Sequence, residues 1–516
     1  MYDVQRRSRV VSAVAAGAMA LALAVSGCQS AVKQQQTGAG AAGKPVDGGI
    51  LTIAQSSDIQ PNNVLAGRLG NSSWASNVFE TLTRYDGDGT PQPLLAKEWK
   101  VAADKLSIEI TLRDDVTFQS GRKLTADDVK YSFEQVLKSS SQVTPIAKKF
   151  KSIDVTGPTA LTIHFTKPVP NIFDFFEYSY ILDKESAKGL ADGSKVIGTG
   201  PFLFKSWSPG SQVQLVRNDK YWGGKPHLDG ITIAVITDST AMLNAVRGNR
   251  SQLAIGMNPV DIQSMASNSA FTVVNTTGSV YPLGLNIDQP PFDKKEVRQA
   301  VNYAIDRARI AKQIFGAAGV ATDLFWDPSL PGYPKDLAQR YTYDPAKAKQ
   351  MLTAAGAEGA AVPITVISLP QNMSVAEIVR RNLEEVGLKP TIEPQETQSF
   401  GENQIAGKLG TAFMPLHGLN GLGAITLMDT LPSLRKGNSS RFWTDEYAAL
   451  RNKVTAADSD AAYQDALHKL SEYILDQAFT SAVVQAQGQN VVAKNAHDLN
   501  WSTRSYLDAK SAYLDH

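Results

Sequence analysis

Residues 77–99 read Asn77-Val-Phe-Glu-Thr-Leu-Thr-Arg-Tyr-Asp-Gly-Asp-Gly-Thr-Pro-Gln-Pro-Leu-Leu-Ala-Lys-Glu-Trp99. Taken alone the stretch is structural: Asp86-Gly-Asp-Gly89 supplies turn residues, because Asp and Gly accept the backbone angles that reverse a chain. Working outward, period-two alternation marks strands at Leu51 to Ile53, Leu106-Ile108-Ile110-Leu112, Leu161-Ile163-Phe165, Val213-Leu215 and Ile231-Ile233-Val235. Helical patterns lie between and after them. Thr125 with Asp128 forms a capping-box variant opening a helix whose apolar face is Val129, Phe133, Val136 and Leu137. Asp293 and Glu296 cap another, in which Val297, Ala300, Val301, Ala304, Ala308, Ala311 and Ile314 form one buried stripe. Asp344-Pro345 starts a third helix that ends before Gly356. A fourth runs from about Val375 to Val386, closed by Gly387, and leads into a strand at Lys389 to Glu393. This alternation implies an α/β domain with a substantially parallel sheet in the second half. The first half is richer in strands, which places a domain boundary near Tyr281-Pro282-Leu283.

The N-terminal residues read as an export signal. Arg6, Arg7 and Arg9 form a basic start, and Val10 to Val25 form an apolar run. That run falls short of the roughly 20 residues a membrane-spanning helix needs. It ends in Val25-Ser26-Gly27-Cys28, which resembles the bacterial lipobox, and Cys28 is the only cysteine among 516 residues. Cys28 is therefore expected to be lipidated and to become the first residue of the mature chain, anchored in the cell membrane and facing the exterior or periplasm. The pair Arg6-Arg7 leaves both Sec and twin-arginine export open. Residues 28–48 read as the lipidated cysteine with a flexible tether, because they are mostly Gln, Ala and Gly with almost nothing apolar to bury. Gly38 to Gly43-Lys44 has P-loop spacing, but Pro45 takes the Ser/Thr position and no strand pattern precedes it, which argues against nucleotide binding. Removing residues 1–27 takes three arginines and one aspartate from totals of 51 basic and 50 acidic residues, leaving a net charge of −1. No basic field exists to hold nucleic acid. About 470 residues beyond the tether are too many for one core and call for two or three domains.

Further blocks follow residues 77–99 in order: Leu112-Arg-Asp-Asp-Val-Thr-Phe118, Leu124-Thr-Ala-Asp-Asp-Val-Lys-Tyr-Ser132, Gly198-Thr-Gly-Pro-Phe202, Asn218-Asp-Lys-Tyr-Trp222, Asn286 through Pro291-Phe292-Asp293, and Val297-Arg-Gln-Ala-Val-Asn-Tyr-Ala-Ile-Asp-Arg307. Together they resemble the peptide/nickel-type solute-binding proteins of bacterial ABC importers, family 5, which include dipeptide- and oligopeptide-binding proteins. The resemblance implies a two-lobed α/β fold of the periplasmic-binding-protein type (type II, with an extra inserted subdomain) that closes about a hinge around its ligand. It implies lobe I from 49–74, 196–282 and 483–516, the inserted subdomain from 75–195, and lobe II from 283–482. It also implies a monomer that needs no cofactor and no catalytic residue, with the permease subunits as its membrane partner.

Family members draw ligand contacts from the loop after the first strand, here Ser57, Asp58, Ile59 and Gln60, and from the interlobe crossing, here Tyr281, Leu283 and Asn286. Two loops of lobe II add Gln371 and Asn372, and Met414, His417 and Asn420. Peptide binders of this family commonly carry Trp and, three residues on, an Asp that pairs with the ligand ammonium; by alignment His417 and Asn420 stand there. An amide brings no negative charge, and a desolvated ammonium without one is costly. A peptide or peptide-like solute is the expected ligand, with a blocked peptide, an oligosaccharide, a modified metabolite or a metal chelate as alternatives, and a sensor role as another. Metal binding by the chain itself gains no support. The six histidines, His164, His227, His417, His468, His497 and His516, include no pair at zinc-helix spacing. No Gly-x-Ser-x-Gly elbow and no His-Glu-x-x-His is present, so no enzyme is expected. The aromatics Phe173, Phe175, Phe176, Tyr178 and Tyr180, like Tyr221-Trp222, read first as core or lobe surface.

Overall fold

The computed structural model describes residues 45–515 apart from 67, 68 and 88. The export signal, Cys28 and the Gly38–Lys44 segment lie outside the described residues. The end of the tether is held against the fold: Gly48 N donates to His227 O, and Asp47 Oδ1 lies 2.7 Å from His227 Nδ1.

Two long antiparallel strands, Phe271–Leu285 and Thr480–Ala493, run through the middle of a 12-stranded sheet and join its halves. On one side Ile50–Gln55 pairs in parallel with Gly230–Val235 and Leu253–Ile255, and the antiparallel hairpin of Phe202–Ser208 and Gln212–Arg217 completes lobe I. On the other side Ala361–Ile367 pairs in parallel with Lys389–Gln395 and Ala412–Met414. The parallel sheet expected in the second half is thus present around Ala361–Ile367, whose Ile364 and Val366 are fully buried; the crossing strands join it antiparallel. A strand buried on both faces reads as a near-continuous apolar run, as Ala361–Ile367 does.

The crossing strands are irregular where they pass between lobes. Their register shifts between Thr276 and Ser279 and again between Tyr281 and Pro282. At Gly278 a Cβ would lie 1.8 Å from Ala486 O, so only glycine permits this approach. These shifts interrupt the ladder in the stretch that joins the two halves of the sheet.

The inserted subdomain carries its own antiparallel sheet, in the order Ala96–Val101, Ser107–Leu112, Ala160–Phe165, Phe150–Gly157. Two short strands, Thr83–Tyr85 and Pro91–Pro93, pair antiparallel, and between them Gly89 N donates to Asp86 O at 3.1 Å. Helix Ala126–Lys138 has both halves of the Thr125–Asp128 capping box, and Val129, Phe133 and Val136 are buried. Leu137, expected on that face, is exposed, because it lies one step around the helix from Val136.

The stripe from Val297 to Ile314 is not one helix. Lys294, not Asp293, is its N-cap residue; the first helix is Lys295–Ala304, and Ile305 is extended. Asp306 then caps a new turn, Arg307–Ile310, by accepting from Arg309 N, and a π-type turn Ala311–Phe315 follows. The break turns Arg307 inward to Asp323 at 2.7 Å and leaves Ala308 exposed. Asp344 caps helix Pro345–Ala354 through Lys347 N as expected. The fourth helix begins earlier than its apolar pattern, at Pro370, so Gln371 and Asn372 sit in its first turn instead of a loop.

Candidate ligand-binding site

The segment from His417 to Thr430 lies where the crossing strands, the inserted subdomain and the C-terminal segment meet. His417-Gly418 pairs with Val280 and Ser279 of the first crossing strand, and Leu419 N donates to Gly278 O at 3.0 Å. Asn420 and Gly421 then take left-handed conformations, φ 50° and 64°, and reverse the chain. A Cβ at Gly421 would fall 2.2 Å from Thr503 O, so the loop presses on the C-terminal segment. Helix Ala424–Thr430 follows and faces Thr144–Ala147 and Ile172–Tyr178 of the subdomain.

The seam between lobe II and the subdomain is polar at its contacts and apolar beneath them. Asn420 Nδ2 donates to Gln142 Oε1, and Tyr178 Oη donates to the same oxygen at 3.0 Å. Thr426 Oγ1 accepts from Asn171 Nδ2 at 2.8 Å and donates to Asp174 Oδ2. Lys149 reaches Asp429 at 3.0 Å, and Arg451 holds the other Asp429 oxygen at 2.9 Å. Leu419, Leu422, Leu427 and Met428 share one apolar cluster with Val143, Ile146, Ile172 and Phe175.

Two carboxyls of helix Ile172–Tyr178 are buried at this seam. Asp174 accepts from Tyr85 Oη at 2.8 Å and from Thr426, and burial raises its pKa despite these bonds. Burial pushes the Glu177 carboxyl up to about 7, opposed by Arg504 and Arg84. Glu177 accepts from Tyr85 N at 2.9 Å and Thr503 Oγ1 at 3.3 Å. The buried Arg504 guanidinium stacks on Tyr178, Tyr180 and Tyr506 and donates to Tyr178 O at 2.5 Å. Behind Arg504 a cavity of about 80 Å³ opens among Arg84, Glu177, Tyr180, Tyr221 and Asp508. At its wall Glu80 accepts from Tyr221 Oη at 2.6 Å and Trp222 Nε1 at 2.8 Å.

Of the residues singled out in sequence, Asn420 alone bonds a side chain of the opposite lobe. His417 is buried, its Nε2 2.8 Å from Ser433 Oγ, and burial lowers its pKa to about 4, so the ring is neutral. Met414 and Leu283 are buried in the lobe II core, and Tyr281 packs on Phe315 at 5.0 Å. Asn286 Nδ2 donates to Gly410 O, and Asn372 Nδ2 to Pro415 O, while Gln371 is half-buried. The first loop is fastened within lobe I. Asp58 accepts from Trp207 Nε1 at 3.0 Å and Gly210 N at 2.7 Å, Gln60 N donates to Asn71, and Ile59 is buried. Ser57 Oγ is buried without a hydrogen-bond partner. Gln142, Asp174, Glu177, Thr426 and Arg504 were not singled out. The signal for two of them is that Asp174 and Glu177 are the only charges in the run from Ile172 to Ile181. Among the described residues no group of three His, Cys, Asp or Glu is placed to hold a metal ion.

Residues 90–429 match the model of a known family, described as bacterial extracellular solute-binding proteins, family 5 Middle. The chain belongs to this family. It is an extracytoplasmic solute-binding component of an ABC importer, with the two-lobed α/β fold. This family 5 protein is 27% identical over 433 residues to heme-binding protein A of Haemophilus influenzae, covering 76% of this chain and 79% of that one. It is 27% identical over 455 residues to the dipeptide-binding protein of Escherichia coli, covering 78% and 85%. The periplasmic binding protein DppA of Helicobacter pylori, solved with the peptide STSA, superposes with a TM-score of 0.76 at 21% identity, over 94% of this chain and all of that one. Among the described residues no helix is long and apolar enough to cross a membrane.

Proposed function

We propose that this family 5 protein captures a peptide or peptide-like solute between lobe I, with its inserted subdomain, and lobe II, and delivers it to the permease by closing about the crossing strands. The observation that carries this reading is the 417–430 segment. It is anchored on the irregular crossing strand through Gly278 and reaches across to Gln142, Asn171 and Asp174. A segment that belongs to one lobe and bonds the other senses whatever lies between them. Residues 49–74, 196–282 and 483–516 then form lobe I, 75–195 the subdomain and 283–482 lobe II. The dipeptide-binding relative and the peptide held by the structural neighbour support a peptide; the neutral Asn420 and the heme-binding relative favour a solute without a free ammonium opposite that position. Binding alone, by a monomer, suffices for this role.

The test is a thermal-shift screen of di- to pentapeptides, amino-blocked peptides and oligosaccharides on protein beginning near Gly49. A true ligand at 100 times its dissociation constant adds roughly 2.7 kcal/mol to stability. A screen in which only oligosaccharides shift the melting temperature sinks the peptide reading.

Retention beside the permease rests on lipid at Cys28. Replacing it, Cys28→Ser, is expected to release the protein from the membrane fraction and abolish incorporation of labelled palmitate; a variant that stays membrane-bound and labelled contradicts this.

A further inference from the structure

We propose that Asp174, supported by the side-chain oxygen of Asn171, is a specificity-determining residue that receives a cationic side chain of the solute, an ammonium or guanidinium. The inference rests on the reading that the solute lies between the lobes.

Asp174 and Asn171 are both more than nine-tenths buried. An ionised carboxylate offers about four acceptor sites. Those of Asp174 meet the hydroxyls of Tyr85 and Thr426 and the backbone N–H of Gly423, all of them neutral donors. Among the described residues no lysine, arginine or histidine forms an ion pair with Asp174. The other titratable groups facing it are Tyr85 and Tyr463, whose hydroxyls carry no positive charge. Beside it Asn171 spends its amide N–H on Thr426, and its Oδ1 is buried with no partner at all. Two adjacent acceptors, one charged and one orphaned, thus share a shortage of donors. Buried charge and orphaned acceptors both cost free energy until something pairs with them.

An ammonium brings three donors and a guanidinium five, with the charge that Asp174 lacks a partner for. Access follows from which lobe supplies the present contact. Thr426 belongs to lobe II while Tyr85, Asn171 and Asp174 belong to the subdomain, so parting the lobes removes Thr426 and opens the carboxylate. Glu177, one turn further on, is unlike it: the charges of Arg504 and Arg84 already face it. The negative charge absent at Asn420 is therefore carried by the subdomain across the same seam.

The test is calorimetry with Ala-Lys-Ala and Ala-norleucine-Ala, which differ only in the side-chain ammonium, on wild type, Asp174→Asn and Asp174→Ser. A charge-assisted bond predicts that wild type binds the lysine peptide at least roughly tenfold tighter, and that Asp174→Asn brings the two within about twofold. Asp174→Ser, which removes the charge with a smaller side chain, is expected to lose the preference likewise, and so carries the comparison should Asp174→Asn fail to fold. Equal affinity for the two peptides in wild type, or a preference that survives Asp174→Asn, overturns the role of Asp174 while leaving capture between the lobes intact. Binding of neither peptide overturns this inference, while the peptide reading is decided by the thermal-shift screen.

Discussion

Glu177 shows how one buried carboxyl ties the seam to pH. Its surroundings desolvate it more than Arg504 and Arg84 compensate, and its pKa rises from 4.5 to about 7. Between those values the folded chain holds a proton that the unfolded chain has released, so stability falls as pH rises from about 4.5 through 7 and is fullest below that window. One pKa unit corresponds to about 1.4 kcal/mol, which makes the total effect on the order of 3 kcal/mol. Glu177→Gln keeps an oxygen to accept from Tyr85 N and cannot ionise. We expect the variant to gain on wild type in melting temperature as buffer pH is raised from 5 to 7.5, and parallel curves for the two proteins would refute the assignment. Asp174 and Glu80 also carry raised values, but both remain in each protein and drop out of the comparison.

At the scale of elements, what depends on neighbours a few residues away was readable, and what depends on distant chain was not. The strands around Ile53, Ile110, Ile163, Leu215 and Ile233 lie where their alternation puts them, because one buried face fixes register. The capping pairs Thr125–Asp128 and Asp344–Lys347 were likewise local. The helix begun at Lys295 failed to continue to Ile314 because Asp306 offers its backbone a cap and Arg307 gains a buried partner in Asp323, contacts that helical spacing does not encode. The site divides the same way. Asn420 was visible through its departure from a family pattern, but its partner Gln142 is 278 positions away in sequence. Asp174 meets Thr426 across 252 positions and Arg504 meets Tyr178 across 326. No periodicity links such residues. A charge inside an apolar run, as in Ile172-Phe-Asp-Phe-Phe-Glu177, was the one local trace they left.

For the whole molecule the question is what sets the balance between lobes apart and lobes together. Apolar side chains such as Leu427 and Ile146 favour contact without distinguishing an empty seam from a filled one, whereas polar contacts bind the lobes only in a defined geometry. Lys149–Asp429 is the ion pair that spans the seam at its edge, with Lys149 largely buried and Asp429 about one-third exposed. Asp429 is also held by Arg451 from its own lobe, so removing Lys149 leaves no orphaned charge there. Lys149→Ala should therefore weaken closure without unfolding either lobe. A partly exposed pair contributes about 1 kcal/mol or less, which shifts the closed population up to roughly fivefold. Because a solute held between the lobes binds only as far as closure is favourable, its affinity should fall by up to that factor, chiefly through faster release. Salt gives the check a second dimension: raising ionic strength from 0.05 to 0.5 M screens the pair in wild type and has nothing to screen in the variant. Calorimetry at both salt concentrations should find the two proteins converging at high salt, and a difference that persists there would place the effect of Lys149 in packing and not in charge.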